Sequence, residues 1–253
     1  MTVLTKFRRV YLKYSDVTID KNGNCLRSII SAMINETLIE IYELLLDRFG
    51  PQHWWPGDTQ FEIITGAILT QNTSWANVEK AIANLKAADR LTPDKLHHLD
   101  VSQLAELIRP AGYFNIKAKR LKNFINWLFD NYEGELTDLE SMNTNQLRVE
   151  LLAIKGIGPE TADSILLYAF ERPMFVVDAY TARIAVRHEL IEPGADYEQL
   201  RELFQSNLSE DVQLFNEYHA LLVRLGKEFC KPKARCPGCP LEKLPHSLDI
   251  EYF

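Results

Sequence analysis

Apolar residues recur at helical spacing along most of the chain, and this pattern constrains the fold more than any other feature. In the segment 36–48 the apolar stripe consists of Leu38, Ile41, Leu44 and Leu45. Comparable stripes run through 61–70, 75–86, 116–130, 145–154, 160–170, 179–190, 196–205 and 211–226. Alternation with a period of two, the pattern of a half-buried strand, is nowhere convincing. The sequence therefore predicts an all-α protein of about ten helices joined by short loops.

Composition and length are those of an ordinary globular protein with one large or two modest domains. The 253 residues are 46% apolar and 25% charged, which is enough apolar side chain for a substantial core. No apolar stretch approaches the roughly 20 residues of a membrane helix, and charges interrupt the region where a signal peptide would be apolar. Four cysteines are too few for a disulfide framework here. We expect a cytoplasmic protein with no membrane partner.

Charge alone leaves the partner open. The net charge of −7 argues only weakly against nucleic acid, because a local basic patch matters more than the sum. Two windows, 114–122 and 224–235, each carry a charge of +4. The basic residues of the first window are Lys117, Lys119, Arg120 and Lys122. For either window taken alone, an ordinary solvated helix face is the simpler interpretation.

The segment 151–165, LLAIKGIGPETADSI, is the most specific local signal in the chain. Its two glycines allow a tight turn between helices, and Pro159 suits the first position of the second helix. Ile157 would point inward and pin the turn. Outward-facing N–H groups of the turn and the new helix are suited to a phosphate oxygen. A lone G-I-G, however, is also typical of a simple glycine-capped helix connection.

An aspartate follows this turn at the start of another helix. Asp178, in MFVVDAY, lies twenty residues beyond Gly158 and directly after two valines. N-capping alone would explain the residue type, but a carboxylate at this place is also available for chemistry. Desolvation would raise its pKa and the helix N-terminus would lower it, so the sequence leaves the balance open.

Together these motifs resemble a known family. KGIGPETADSIL followed by VVDAY resembles the helix-hairpin-helix and Gly/Pro-Asp signature of the endonuclease III superfamily of DNA glycosylases. FEIITGAILTQNTSW at 61–75 is similar to an early barrel helix of that family and the loop that follows it, and RPAGYFNIKAKRL at 109–121 is similar to the start of a helix in the middle of the domain. The resemblance extends from about residue 36 to residue 240 and implies an all-α fold of two domains.

The resemblance also implies where the domains lie. Residues 61–175 would form a six-helix barrel that contains the hairpin at 151–165. Residues 36–60 and 176–253 would form a second helical domain with a cysteine-containing tail. Residues 1–35 would be an appended segment.

One position indicates which reaction the resemblance implies. Family members that also cut the DNA backbone carry a lysine nucleophile eighteen residues before the aspartate, and that place is Glu160 here. A carboxylate cannot form the Schiff base that β-elimination requires. Lys155 is close in sequence but lies on the other side of the turn. The chain therefore resembles monofunctional members, which hydrolyse the N-glycosidic bond and leave the backbone intact.

The WWPGDTQFE and QNTSW segments, together with Glu160, resemble the 3-methyladenine DNA glycosylase III branch of the family. In that branch aromatic residues line the base pocket, which implies a pocket formed by Trp54, Trp55, Pro56, Trp75 and Glu160. Indole faces favour an electron-poor, often cationic alkylpurine over a neutral base. Tryptophans beside a proline turn also commonly anchor a core. We expect the two adjacent tryptophans to point in opposite directions.

The implied mechanism begins with extrusion of the damaged nucleotide from double-stranded DNA. Gln71 matches the family residue that fills the vacated gap. Asp178 would stabilise the oxocarbenium-like sugar and orient or deprotonate a water molecule. A backbone phosphate, in the family often with a monovalent cation, would be bound by Lys155, Gly156, Ile157 and Gly158. Salt-sensitive affinity would come from Lys117, Lys119 and Arg120. A monomer is the expected state.

Three cysteines near the C-terminal end, Cys230, Cys236 and Cys239, form a C-x5-C-x2-C pattern. Many superfamily members hold a [4Fe–4S] cluster here with four cysteines, but position 245, where the fourth would stand, is a proline. His246 could complete a Cys3His set of loose spacing. We interpret the motif as an incomplete iron–sulfur site and expect no required cofactor.

Other functions stay compatible with these motifs. The same fold could act on a mismatched pyrimidine or an oxidised base, and substrate profiling separates these from alkylpurines. A helix-hairpin-helix module could also bind DNA without chemistry, although such a clamp does not need Asp178. An α-helical interaction protein is the least specific alternative.

Overall fold

The computed structural model describes residues 24–55 and 57–248, with the main chain alone for residues 24–30. These residues form twelve α-helices and no strand, so the all-α prediction is confirmed. In chain order the helices are α1 (Asn24–Phe49), α2 (Gln60–Leu69), α3 (Trp75–Ala87), α4 (Pro93–His97), α5 (Val101–Leu107), α6 (Phe114–Tyr132), α7 (Thr137–Glu140), α8 (Thr144–Ala153), α9 (Pro159–Ser164), α10 (Ala179–Arg187), α11 (Tyr197–Gln205) and α12 (Val212–Glu228). A 3₁₀ turn, Arg109–Ala111, precedes α6, and a π-helical turn, Ile165–Ala169, continues α9. Within the described part of the chain, no helix is long and apolar enough to cross a membrane.

The chain divides into two compact units. Residues 53–176 form the first, which we call the hairpin unit, and it contains α2 to α9. The other, which we call the aspartate unit, contains the described residues of 24–52 and 177–248, and therefore α1 and α10 to α12.

The core of the hairpin unit is one apolar cluster to which each of its helices contributes. The longest helix, α6, shows why the pattern works: its buried residues Ala118, Leu121, Ile125 and Leu128 recur every three or four positions on one face. Threonine caps begin two of the other helices. The side chain of Thr59 accepts from Glu62 N at the start of α2, and that of Thr92 accepts from Lys95 N at the start of α4.

The aspartate unit is built around α12. Tyr218 of α12 is fully buried and donates its hydroxyl to the carbonyl of Leu38 in α1 at 2.8 Å. The rings of Tyr42 and Phe204 pack edge-on against it at 5.3 and 5.7 Å. Aspartates cap the three helices that follow the hairpin unit in sequence: Asp178, Asp196 and Asp211.

Two boundaries differ from those that the sequence predicts. Helix α1 begins at Asn24, so residues 24–35 are not separate from 36–49, and Ser31 and Asn35 both bond to Asn207 of the same unit. Residues 53–60 belong to the hairpin unit, because the tryptophans of this stretch pack on rings of that unit. Residues 1–23 lie outside the described residues.

Candidate active site

The hairpin between α8 and α9 turns on a glycine that no other residue could replace without strain. Gly156 has a φ of +102°, which L side chains rarely adopt. A Cβ at this position would lie 2.4 Å from Cγ of Arg120. Gly158 is different, since its φ is −99° and no described atom would lie within 4 Å of a Cβ there. Ile157 is buried between the helices, as the sequence predicts.

Polar side chains hold the turn from the outside. Gln71, just beyond the end of α2, donates its Nε2 to the carbonyl of Gly156 at 3.1 Å and to the hydroxyl of Thr161 at 2.9 Å. The guanidinium of Arg120, from α6, donates to Oε1 of Gln71. The loop after α2, helix α6 and the hairpin therefore form one hydrogen-bonded block. Both ends of the Gln71 amide are engaged within this block, and its role in filling a vacated gap in DNA stays a prediction.

The outer side of the turn faces solvent. Lys155, Gly158 and Glu160 are exposed, and the carbonyl of Lys155 accepts from Nδ2 of Asn123 at 2.8 Å. The first N–H groups of a helix have no intrahelical acceptor. The Glu160 carboxylate stands in the first turn of α9, where negative charge is favourable. Glu160 is thus a residue of the exposed hairpin surface, and its assignment to the base pocket stays a prediction.

A buried ion pair joins the two helices of the hairpin. The side chain of Asp163 in α9 is fully buried, and that of Arg148 in α8 is 15% exposed. Nε and Nη2 of the arginine donate to the two carboxylate oxygens at 2.6 and 3.0 Å. A two-pronged contact of this kind fixes direction as well as distance, so the pair sets the angle at which α8 and α9 leave the turn.

The prediction that Lys117 contacts DNA is wrong. Its side chain is 1% exposed, and Nζ donates to the carbonyls of Leu69 at 2.8 Å and Ala111 at 2.7 Å. Leu69 and Ala111 are the last residues of α2 and of the 3₁₀ turn. The ammonium group therefore donates to buried carbonyls that have no partner within their own helix. Burial, with a smaller effect of the Arg120 charge, lowers the pKa of Lys117 to about 8.

The basic window around α6 is therefore weaker at the surface than its sequence indicates. Lys122 donates to the carbonyls of Leu96 and His97 at 2.9 and 2.6 Å. Arg120 is half-buried beside Gly156, while Lys119 is exposed. Of the four basic residues in 114–122, Lys117 and Lys122 donate to backbone carbonyls. Lys119 is exposed and can contact a phosphate.

Four aromatic rings from three segments of the hairpin unit pack together, and we call them the aromatic cluster: Trp54, Trp55, Trp75 and Tyr168. The ring centre of Trp55 lies 4.7 Å from that of Trp75 and 4.8 Å from that of Tyr168. Trp54 stacks on Trp55 at 5.8 Å and lies 6.4 Å from Tyr168. Gly66 of α2 leaves room for them, since a Cβ there would be 3.4 Å from both Trp55 and Trp75.

The expectation that the adjacent tryptophans point in opposite directions is wrong, because both rings contact Tyr168. They lie in an irregular loop, where side chains need not alternate as they do in a strand. The Nε1 of Trp55 is buried and has no hydrogen-bond partner within the described residues, although a buried indole N–H usually finds one. Pro56, the remaining aromatic-pocket candidate from this loop, lies outside the described residues.

Asp178, in the aspartate unit, caps α10. Its Oδ1 accepts from the backbone N–H of Thr181 at 2.8 Å and from the hydroxyl of the same residue at 3.0 Å. Burial by itself would raise the pKa of this carboxyl, but the neighbouring His219 and the Thr181 hydrogen bonds outweigh it and hold the pKa below its usual value. Asp178 is therefore ionised at neutral pH, which answers the question that the sequence leaves open.

His219 faces this carboxylate. Its Nε2 lies 3.6 Å from Oδ2 of Asp178, and its side chain is 6% exposed. Sequence reasoning missed His219 and Tyr168 because both occupy apolar helical stripes, where a core position is the simplest interpretation.

The three tail cysteines surround one cavity of the aspartate unit together with Arg187 and His246. Sγ of Cys230 accepts from the Arg187 guanidinium at 3.2 Å. Burial raises the pKa of Cys239, and the nearby Cys230 and Cys236 add to this. No cysteine follows Cys239 in the sequence. In the described ranges, no three His, Cys, Asp or Glu side chains are arranged to hold a metal ion. The described side chains of this unit include three cysteines, one fewer than a four-cysteine [4Fe–4S] cluster requires, so this described set does not fit such a cluster.

Comparison with known proteins gives the hairpin and Asp178 a family context. The model described as HhH-GPD superfamily base excision DNA repair protein matches residues 65–210, more than half of the chain. A Methanocaldococcus jannaschii protein named "Putative DNA repair glycosylase" is 50% identical over 210 residues, covering 82% of this chain and 95% of that protein. Endonuclease III of Sulfolobus acidocaldarius is 32% identical over 182 residues, covering 71% and 78%.

Among solved structures, the chain is similar to the 3-methyladenine DNA glycosylase of H. pylori bound to 1,N6-ethenoadenine. The identity is 31%, the TM-score is 0.64, and the match covers 78% of this chain and 97% of that one. In this structure the predicted helix-hairpin-helix turn joins α8 and α9, and the predicted aspartate, Asp178, directly precedes α10. This chain belongs to the HhH-GPD superfamily of base excision DNA repair proteins.

Proposed function

We propose that this protein is a monofunctional DNA glycosylase that releases an alkylated purine, such as 3-methyladenine, from double-stranded DNA. The observation that carries the proposal is the aromatic cluster. Three indole rings and a phenol ring pack together, and the centres of their contacting pairs lie 4.7 to 6.4 Å apart. Alkylation makes a purine electron-poor, and often cationic, so it binds an indole face more strongly than an undamaged base does.

Two further observations support an alkylated base as the ligand. The buried Nε1 of Trp55 could donate to an acceptor on a bound base. The H. pylori glycosylase to which this chain is similar holds 1,N6-ethenoadenine, an alkylated adenine. A cation over an aromatic ring gains about 0.5–2 kcal/mol, so the cluster favours a cationic base over a neutral one.

Asp178 supplies the chemistry in this proposal. Alkylation weakens the glycosidic bond by making the base a better leaving group, so a strong general acid is unnecessary. An ionised carboxylate stabilises the positive charge that develops on the sugar, and it orients the attacking water. The low pKa of Asp178 suits this task, since the group is charged at neutral pH without a further proton transfer.

The absence of strand cleavage follows from the residues near the hairpin. Glu160 stands where a lyase nucleophile would be, and it cannot form a Schiff base. Lys117 would release its proton near pH 8, but its amine is buried and donates to two carbonyls. We therefore expect hydrolysis of the glycosidic bond to be the only covalent step.

DNA binding relies on the exposed turn at Gly156 and Gly158, whose N–H groups would contact a backbone phosphate. A monovalent cation at the turn would strengthen this contact, and Lys119 would add a salt-sensitive share. No other cofactor is needed for hydrolysis. We propose that the protein acts as a monomer in the cytoplasm, where the chromosome is its substrate.

A panel of duplexes tests the proposal. Each carries one lesion: an alkylated purine, an oxidised purine or a mismatched pyrimidine. We expect release of the alkylated purine, and we expect Trp55→Ala to slow it by about 5- to 150-fold, the equivalent of one lost stacking contact. Trp127→Ala is the matched control, because Trp127 packs on Phe124 and Tyr132, outside the aromatic cluster. Release of an oxidised or mismatched base instead would assign the enzyme a different substrate. Binding of the duplexes without release of any base would favour a DNA-binding module without chemistry.

A further inference from the structure

Helix α12 presents one face directly to the start of α10. His219 and Gly226 are seven residues apart on α12, so they lie on the same face two turns from each other. A Cβ at Gly226 would lie 2.3 Å from Cδ1 and 2.7 Å from Cβ of Tyr180. Tyr180 is the second residue of α10. The missing side chain of Gly226 thus lets the start of α10, with its cap Asp178, lie close against α12.

The two oxygens of the Asp178 carboxylate have different surroundings. Oδ1 is fixed by α10 itself, through the N–H and hydroxyl of Thr181. Oδ2 points to α12, where Nε2 of His219 lies at 3.6 Å. Both side chains are largely buried, with 6% of His219 and 13% of Asp178 exposed. A separation of 3.6 Å is longer than a hydrogen bond, but contacts of catalytic groups commonly tighten when the ligand binds.

We infer that His219 is a positioning residue for Asp178, and that it holds the Oδ2 side of the carboxylate while α10 holds the Oδ1 side. The inference rests on the proposed function, because it gives His219 a part in the work of Asp178. A carboxylate held at one oxygen can still rotate about the Cβ–Cγ bond. With Nε2 of His219 facing the second oxygen, one orientation of the charge toward the sugar and the water is favoured.

The competing interpretation is that His219 fills space beneath α10 and nothing more. The two interpretations differ in which substitutions of His219 preserve base release. Leucine keeps much of the volume of histidine and removes the nitrogen. Glutamine retains a nitrogen that can reach the position of Nε2. A space-filling role predicts that both substitutions behave alike, whereas a positioning role predicts that glutamine works and leucine fails.

The experiment compares His219→Leu and His219→Gln in single-turnover release of the alkylated base, together with the Kd for the same duplex. We expect His219→Leu to slow release by about 100-fold, the typical effect of a misplaced catalytic group, with Kd unchanged. His219→Gln should recover most of the loss. His188→Leu is the control for losing a buried histidine of this unit, and it should release base at the normal rate. Equal rates for both His219 variants, or a loss confined to Kd, would overturn the inference.

A second measurement does not depend on activity. Crystal structures of the unliganded protein and of His219→Leu should show that the Asp178 carboxylate turns away from its original orientation in the variant. If the carboxylate keeps the same orientation without the imidazole, the inference fails, whatever base the enzyme releases. Failure of the proposed function shows instead in the unaltered protein, which would then release no alkylpurine.

Discussion

Replacing Gly156 with alanine tests whether backbone conformation and close packing on α6 hold the hairpin. The φ of +102° costs an L residue about 1–2 kcal/mol. The new Cβ would lie 2.4 Å from Cγ and 3.0 Å from Cδ of Arg120. These atoms belong to the stem of the side chain, so they cannot move aside without disturbing its bond to Gln71. Overpacking of this kind costs about 1–3 kcal/mol, and we expect the free energy of unfolding to fall by about 2–5 kcal/mol in total.

Urea unfolding followed by circular dichroism measures this change. Gly158→Ala is the matched control, because its backbone is extended and its Cβ would meet open space, and we expect a loss below about 1 kcal/mol. Repeating Gly156→Ala in an Arg120→Ala background removes the steric conflict and should recover about 1–3 kcal/mol of the loss. The packing argument would be refuted if Gly156→Ala were as stable as Gly158→Ala, or if removing Arg120 changed nothing.

Four other predictions test the hairpin, the surface charge and the chemistry. Asp163→Asn removes the fully buried charge that the partly buried guanidinium of Arg148 faces and should lower the free energy of unfolding by about 3 kcal/mol; an unchanged urea midpoint would contradict this. Lys119→Ala should reduce the slope of log Kd against log salt by about one, while Lys117→Met should leave it unchanged; a smaller slope in Lys117→Met would return that residue to the DNA surface. Because burial lowers the pKa of Lys117 from 10.5 to about 8, the unfolded chain binds more protons between these values, and the free energy of unfolding should rise with pH across this window. Urea unfolding of Lys117→Met should lack that rise. Asp178→Asn should lose base release by about 10²- to 10⁴-fold with DNA affinity intact, and substantial residual release would remove Asp178 from the mechanism.

The hairpin could be predicted from the sequence because its signal lies in the backbone. The turn needs a residue that adopts a positive φ, which is Gly156. The first position of α9 suits a proline, because the N–H that proline lacks would have no intrahelical partner there. Asp178 could be placed at a helix start for the same reason, since an N-cap is a local feature. Periodicity likewise predicted the helices, because burial of one face is decided within each helix.

Side chains whose partners lie far away in sequence could not be predicted. Lys117 reads as part of a basic window, yet its Nζ bonds to Leu69, 48 residues earlier. Nothing within 114–122 distinguishes it from Lys119, which is exposed. Tyr168 similarly reads as a core residue of its helix, and its ring partner Trp55 comes from a loop 113 residues before it. Burial and charge at such positions are set by tertiary contacts, which no local pattern records.

The proposed function is tested most directly by incubating the protein with duplex DNA that carries a single 3-methyladenine, with and without later alkaline treatment. We predict release of the free base, with strand breaks that appear only after alkali, because Glu160 cannot act as an amine nucleophile. Strand breaks without alkali would contradict monofunctional hydrolysis and require a lysine nucleophile. Failure to release the alkylated base would contradict the assignment of the aromatic cluster as an alkylpurine pocket.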